Sequence, residues 1–250
     1  MRKGKVIIAS IMVLCVLIFL IAIAWFMLFQ GEMTEPTAEE KNAAVLQAAG
    51  LLKADSLDKK SRENLYQRSI IVRSVNLDSG EWATDKTTAQ GCKKLAPDHD
   101  PAQIRQRCTR ADVYLVKDKY NKIQQVIIPV SGKGAKSMMH AFLSLGLDGR
   151  TVNNLYYYQQ RETPFLGARV QDENWRKQWP GKKVADDKGT PALKIVQEKS
   201  DKNDAYTVDG ISGATLTSTG VEKSINYWVS EQGYGPFLQR LKKDPEMLNR

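Results

Sequence analysis

Residues 6–29 form an uninterrupted run of 24 without a charged side chain. A helix through them, rising about 1.5 Å per residue, crosses the ~30 Å hydrocarbon layer of a bilayer. A cleavable signal peptide is the rival, but its apolar core is shorter and ends in small residues, whereas this run ends Ala24-Trp25-Phe26-Met27-Leu28-Phe29. The expectation is an uncleaved single-pass anchor, with Trp25 and Phe26 either at the membrane interface or packed on a neighbouring helix. Arg2, Lys3 and Lys5 precede the span, and Glu32, Glu35, Glu39 and Glu40 follow it. The positive-inside rule then keeps the N-terminus in the cytoplasm and sends everything after Gln30 to the other side. Two regions follow: residues 1–30 as tail and anchor, and residues 31–250 as one extracytoplasmic domain, long enough for a real core.

Charge narrows the partners. Of the formal net charge of +9, three units sit in the N-terminal tail, and 37 basic residues less those three leaves 34 against 28 acidic ones. The excess is dispersed among acids, which argues against a nucleic-acid partner. Cys15 lies in the span. Cys92 and Cys108 lie in the domain, where an oxidising compartment permits either a bridge or two free thiols. With only two histidines, His99 and His140, and no clustered thiols, no metal site is expected.

Thr37 with Glu40 fits a capping box, and Val45, Leu46, Ala49 and Leu52 repeat at helical spacing up to Gly50. Residues 56–68 are charged and helix-compatible, and "SIIVRSV" reads as a strand. Residues 78–111 are polar, contain Pro97 and Pro101, and read as an insertion with one helix. From "DVYLVKDKYNKIQQVIIPV" through "SMMHAFLSL" to "TVNNLYYY" the pattern is that of hairpins, with Asp148-Gly149 as a turn. "ALKIVQEK" and "AYTV" supply further strands. A terminal helix over "GVEKSINYWVSEQ" places Val221, Ile225, Trp228 and Val229 on one face. Strands in the middle with helices at the two ends predict an α+β fold around a mainly antiparallel sheet.

Several chemistries fail on inspection. "GKGAKS" lacks the phosphate-loop spacing, because Ala135 stands where a glycine must precede Lys136, and Val130 stands five residues further back. No nucleophile-elbow pattern surrounds a serine, and no catalytic residue is nominated. Glu162 and Asp209 read singly as ordinary surface acids, and Tyr156, Tyr157 and Tyr158 as sheet packing. "VDGISGATLTST", residues 208–219, is different, for it concentrates hydroxyls and small residues where a helix begins.

Taken in order, the anchor, "NAAVLQAAGLL", "SGKGAKSMMHAF", "YYYQQRETPFLGARV", "WRKQWPGKKV" and "VDGISGATLTSTGVEKSINYW" resemble the C subunits of the Na+-translocating NADH:quinone oxidoreductases. The related G subunit of Rnf-type ferredoxin:NAD oxidoreductases shares the Ser/Thr-Gly-Ala-Thr signature. A membrane-anchored binding domain without redox chemistry is the reading left if that stretch is only a helix cap. The resemblance implies an FMN esterified through its phosphate to the threonine of Ser212-Gly213-Ala214-Thr215, with Thr217 the second alcohol in range. It also implies an electron-carrier subunit, not catalytic alone, that works with the A, B, D, E and F subunits in the bacterial inner membrane, in contact with lipid and with its domain in the periplasm. Electrons from NADH then pass through it toward quinone, coupled to Na+ export, and a flavin transferase attaches the cofactor. The chain lacks a dinucleotide fingerprint of its own.

The residues make that attachment intelligible. Gly213 and Ala214 leave the Thr215 hydroxyl approachable, and a helix starting near 218–220, capped by Thr219 with Glu222, offers amides and a positive dipole end to the phosphate. Thr217 or Ser218 is placed to donate a further bond. "ETPFLGAR" resembles the family's Glu-Thr-Pro-Gly-Leu-Gly segment, which implies that Glu162 or Thr163 bonds the flavin's polar edge, Leu166 covers a face, and Gly167 permits close approach. Phe165 replaces the usual glycine there, and a glycine at that point signals a positive φ that phenylalanine tolerates poorly.

Overall fold

The β-branched runs after Ser69 pair as their alternation predicts. In the computed structural model, which describes residues 12, 16–21, 35–52, 57–83, 91–197, 201 and 204–249, the strands are β1 (Ile70–Asn76), β2 (Cys92–Lys94), β3 (Gln106–Cys108), β4 (Arg110–Lys117), β5 (Ile123–Lys133), β6 (Met138–Leu145) and β7 (Val152–Gln159). Five of them form an antiparallel sheet in the order β1-β4-β5-β6-β7. The period of two sends Val113, Leu115, Val126, Ile128, Ala141 and Leu143 into one core and Val116, Ile127 and Phe142 into another. Both faces of the sheet are therefore covered.

The smaller core lies under α1 (Ala38–Ala48), which begins one residue after Thr37 and buries Val45 and Leu46. Asn154 and Gln125 hold its C-terminal end by donating to the carbonyls of Gln47 and Ala49, each at 2.9 Å. Next comes α2 (Lys59–Ser69), capped by Asp58, whose carboxylate accepts from the Ser61 amide at 3.1 Å. The larger core takes the other face, under α4 (Thr215–Val229) and α5 (Gly235–Lys243). Trp175, from the short helix α3 (Glu173–Arg176), and Trp179 join it.

Small residues set how closely α4 approaches the sheet. A Cβ on Gly220 would stand 2.3 Å from the Lys133 carbonyl oxygen, and one on Gly132 would stand 2.6 Å from the Ser224 Cβ. The first turns of α4 thus lie directly against the end of β5. Val221, Ile225 and Val229 are buried as the helical spacing predicts.

Two neighbouring strands separate at that same end of the sheet. Pairing of β4 with β5 reaches Tyr114↔Ile127 and stops, although β4 continues on β1 to Arg110 and β5 continues on β6 to Lys133. Pro129 lies just beyond the break and has no N–H to give. Side chains serve the backbone there instead. The Trp228 indole donates to the Ser131 carbonyl at 2.8 Å, the Tyr234 hydroxyl to the Asp112 carbonyl at 2.9 Å, and the Lys133 amide to the Ala102 carbonyl at 2.8 Å.

Several expectations need correction. The polar insertion holds no α-helix among its described residues, only a 3-10 turn at Pro97–His99 and the β2–β3 hairpin. Cys92 and Cys108 face each other across that hairpin and are bonded, which decides between bridge and free thiols. The strands from "ALKIVQEK" and "AYTV", β8 (Lys194–Val196) and β9 (Thr207–Asp209), pair in parallel with each other outside the main sheet. The helix expected near 218–220 starts at Thr215, because the Ser218 amide already bonds the Ala214 carbonyl at 3.0 Å. Glu222 does not cap Thr219, since its carboxylate accepts from the Ile195 amide. A further helix, α5, follows; Pro236 in its first turn is a start signal that its glycine neighbours disguise as a chain break.

The chain divides into two units, Met1–Thr37 and Ala38–Arg250. In the first, residues 16–21 are helical and exposed. No helix among the described residues is long and apolar enough to cross a membrane, and most of the expected span lies outside them. For the second unit, replacing Cys92 and Cys108 together by serine should lower stability by about 3 kcal/mol, from the loop the bridge closes. Denaturant titration with and without reductant checks this, the oxidised native chain alone showing the higher midpoint.

Candidate functional site

The segment leaving β7 turns inward at Glu162, which is only 5% exposed. A carboxylate so buried needs donors on both oxygens, and the hairpin turn between β5 and β6 supplies them. The amides of Lys136 and Ser137 reach Oε1 at 3.0 and 2.9 Å, with the Ser137 hydroxyl at 3.0 Å. The Ala135 amide reaches Oε2 at 2.9 Å. "GKGAKS" is therefore a cradle of successive amides after all, but the anion it holds is the protein's own.

A fifth bond ties this cradle to α4. The Thr217 hydroxyl donates to Glu162 Oε2 at 2.6 Å and is itself 1% exposed. Burial pushes the Glu162 carboxyl up, yet the bonds from Thr217, Ser137 and Lys136 outweigh it and hold the pKa below the ordinary 4.5. Gly167 completes the junction, for a Cβ there would stand 2.5 Å from the Thr217 hydroxyl oxygen. Three segments distant in sequence, 134–137, 162–167 and 213–217, are thereby fixed on one point.

At the start of α4 the hydroxyls divide sharply. Ser212 and Thr215 are exposed, while Thr217 and Ser218 are buried. Ser218 Oγ accepts from the Ile211 amide at 2.9 Å, folding the preceding turn onto the helix. Thr215 is the first helical residue, and its hydroxyl makes one long bond, donating to Gln197 at 3.3 Å. The amides of Thr215, Leu216 and Thr217 belong to the first helical turn, which has no intrahelical acceptors for them. Gly213 has φ +75°, turning the chain into the helix with no side chain beside Thr215; Ala214, the cap residue, is buried.

Apolar side chains surround this opening. Leu166 is 40% exposed and lies on Gly213, its Cδ2 standing 3.1 Å from where a Cβ would be. Leu216 is 71% exposed and Phe165 91% exposed. Thr163 is half-buried, and its carbonyl accepts from the Leu166 and Ala168 amides, each at 3.1 Å. Phe165 has φ +60°, the left-handed conformation that the expected glycine implied. Small residues around an exposed alcohol, free helix-start amides and an exposed apolar lip form a donor set that fits a phosphate carrying a flat aromatic ring.

Among the expected cofactor contacts, Glu162 and Thr217 bond each other inside the protein, and buried Ser218 accepts from the Ile211 amide. Ser137, Gln197 and the amides of 135–137 were not anticipated. For Ser137 and the amides of 135–137 the sequence signal is the density of small residues in "SGKGAKS", and Gln197 carries none.

Residues 134–230 match the FMN-binding domain family, from the Glu162 cradle to the end of α4. The C subunit of the Na(+)-translocating NADH-quinone reductase of Yersinia pestis is 37% identical over 243 residues, 93% of this chain and 91% of that one. Its counterpart in Vibrio alginolyticus is 38% identical over 213 residues, 81% of each chain. Among solved structures, the crystal structure of Shewanella oneidensis NqrC is similar at a TM-score of 0.74 and 28% identity, covering 82% of this chain and 97% of that one. The corresponding protein of Parabacteroides distasonis, at 0.60 and 22%, covering 80% of this chain and 92% of that one, shares the fold.

Two outcomes follow from the site's energetics. Phe165→Gly should raise stability by about 0.5–1 kcal/mol, as relief of a left-handed phenylalanine exceeds the added chain entropy of glycine; thermal melting checks the sign. Glu162→Gln should cost about 2–3 kcal/mol at neutral pH, because an amide cannot accept from all five donors. The folded carboxyl has the lower pKa, so its contribution is complete above the ordinary glutamate range and drains away as pH falls through the lowered value. Denaturation midpoints measured from pH 7 to pH 3 should therefore converge between native and variant chains.

Proposed function

Because this chain belongs to the family of the C subunits of Na(+)-translocating NADH-quinone reductases, we propose that it is an electron-carrying member of such a complex, with FMN joined to Thr215 through a phosphoester. The observation that carries this reading is the contrast between two threonines: Thr215 is exposed on the first turn of α4, whereas Thr217 is buried and bonded to Glu162. Only the former hydroxyl is open to a modifying enzyme.

In this reading Thr215 Oγ1 becomes the bridging ester oxygen. The first-turn amides of α4 and its positive dipole end meet the remaining phosphate charge. Leu166, Leu216 and Phe165 offer an apolar bed to the ring and exclude water from one side of it. Glu162 and Thr217 act at one remove, fixing the start of α4 against the β5–β6 turn so that Thr215 keeps its place. When bound, FMN supplies one-electron transfer, and the fold supplies position and environment.

The same proposal extends to the surroundings. Residues 6–29 anchor the chain once in the bacterial inner membrane with the N-terminus in the cytoplasm and residues 31–250 in the periplasm. The Cys92–Cys108 bond suits an oxidising compartment. A covalent tether keeps the cofactor from diffusing away there. The other members of the complex deliver electrons and take them toward quinone, with Na+ export as the coupled process, and a flavin transferase forms the ester during maturation.

The test is intact-mass measurement of the chain made in cells that contain the transferase. The expected mass is that of the polypeptide plus FMN minus water, with the adduct on the peptide that holds Thr215. Thr215→Val should lose the adduct and the in-gel flavin fluorescence while melting near the native temperature. Thr217→Val should keep the adduct and lose about 1–3 kcal/mol of stability, since it leaves a buried carboxylate one donor short. An adduct retained in Thr215→Val, or an unmodified native chain, overturns the attachment.

A further inference from the structure

The parted end of β4 and β5 opens into a groove of about 430 Å³, within the usual range for small-molecule sites. Half-buried rings of Tyr114, Tyr158 and Trp228 contribute to its walls. The parting is a built feature and not a packing fault. Pro129 removes one ladder donor, and Trp228 and Tyr234 satisfy the carbonyls of Ser131 and Asp112 that strand pairing would otherwise have taken.

The groove is also cationic. Lys41, Arg107 and Arg110 line it against a single acid, Asp112, which accepts from the Ser74 hydroxyl. Arg107 is paired with Asp78. Arg110 makes no ion pair among the described residues, and its Nε and Nη1 are buried without an acceptor. A guanidinium desolvated on two nitrogens and lacking a counter-ion is costly, and an anion seated beside it removes that cost.

We propose that this groove is a second binding site, for a small anion with a flat aromatic body: an aromatic carboxylate or phosphate ester, its ring among the aromatic walls and its charge at Arg110. Rings of the lining match a planar apolar body, and the uncompensated guanidinium matches the charge. The site draws on none of the residues around Thr215 and stands independently of the flavin reading.

The test uses the full-length chain in nanodiscs of zwitterionic lipid, titrated calorimetrically with 2-naphthoate and 2-naphthyl phosphate against empty nanodiscs. Expected is saturable one-to-one binding of both, the same in flavin-loaded and flavin-free protein. Both should bind at least tenfold more tightly than uncharged 2-naphthamide and inorganic phosphate. Arg110→Met should weaken binding tenfold or more, and so should Met138→Trp, which places a larger side chain on the groove wall and leaves Arg110 unchanged. Absence of saturable binding overturns the proposal. So does equal affinity for 2-naphthamide, equal affinity for inorganic phosphate, or full affinity in either folded variant. Should Arg110→Met fail to fold, the amide comparison and Met138→Trp still decide.

Discussion

One buried carboxylate organises the part of the molecule that matters most. Glu162 accepts five hydrogen bonds, four from the β5–β6 turn and one from Thr217 on α4. An ionised group taken out of water is tolerable only when its charge is spread over good donors. Satisfying it requires the turn, the segment after β7 and the helix start to meet in one arrangement. That condition is stricter than hydrophobic burial, which tolerates small slips between α4 and the sheet. The position of Thr215 is a by-product: two residues before Thr217 on the helix, it faces outward because Thr217 faces in.

Close packing makes this arrangement reachable. Gly220 and Gly132 bring α4 onto β5 at distances no side chain permits, and only at such separation does a threonine hydroxyl span the gap to the carboxylate. The glycines and alanine of the two motif stretches therefore serve two different ends. Those in 132–134 and at 220 allow elements to touch, while Gly213 clears space around an alcohol. Electrostatics and sterics meet at this junction, and the apolar lip of Phe165, Leu166 and Leu216 is what they leave facing solvent.

Much of the fold was legible in the sequence because its signals are local. Period-two alternation located β1 and β4 to β7, and helical spacing located α1 and the buried face of α4. What escaped depends on contacts between distant segments. The parallel pairing of β8 with β9 has no local signature, and the β2–β3 hairpin becomes visible only once its two cysteines are opposite each other. At the site, the family resemblance pointed to Thr215 and implied the left-handed conformation found at Phe165. It could not show that Glu162 turns inward, because a glutamate beside a turn looks the same whether it faces solvent or three amides from a hairpin 25 residues earlier. "GKGAKS" lacks the phosphate-loop spacing, yet its successive amides still gather an anion, the carboxylate of Glu162.

The stitching of the sheet by Trp228 and Tyr234 has a further consequence. Where ladder bonds are missing, the two halves of the sheet are held by side chains from α4 and the residues that follow it. Fraying of that helix would release Thr217 from Glu162, loosen the backbone that carries Thr215 and unlatch β4 from β5 in a single event. Amide protons along α4 and the central strands should consequently exchange with solvent as one cooperative block, and Thr215 inherits the rigidity of the sheet's inner strands.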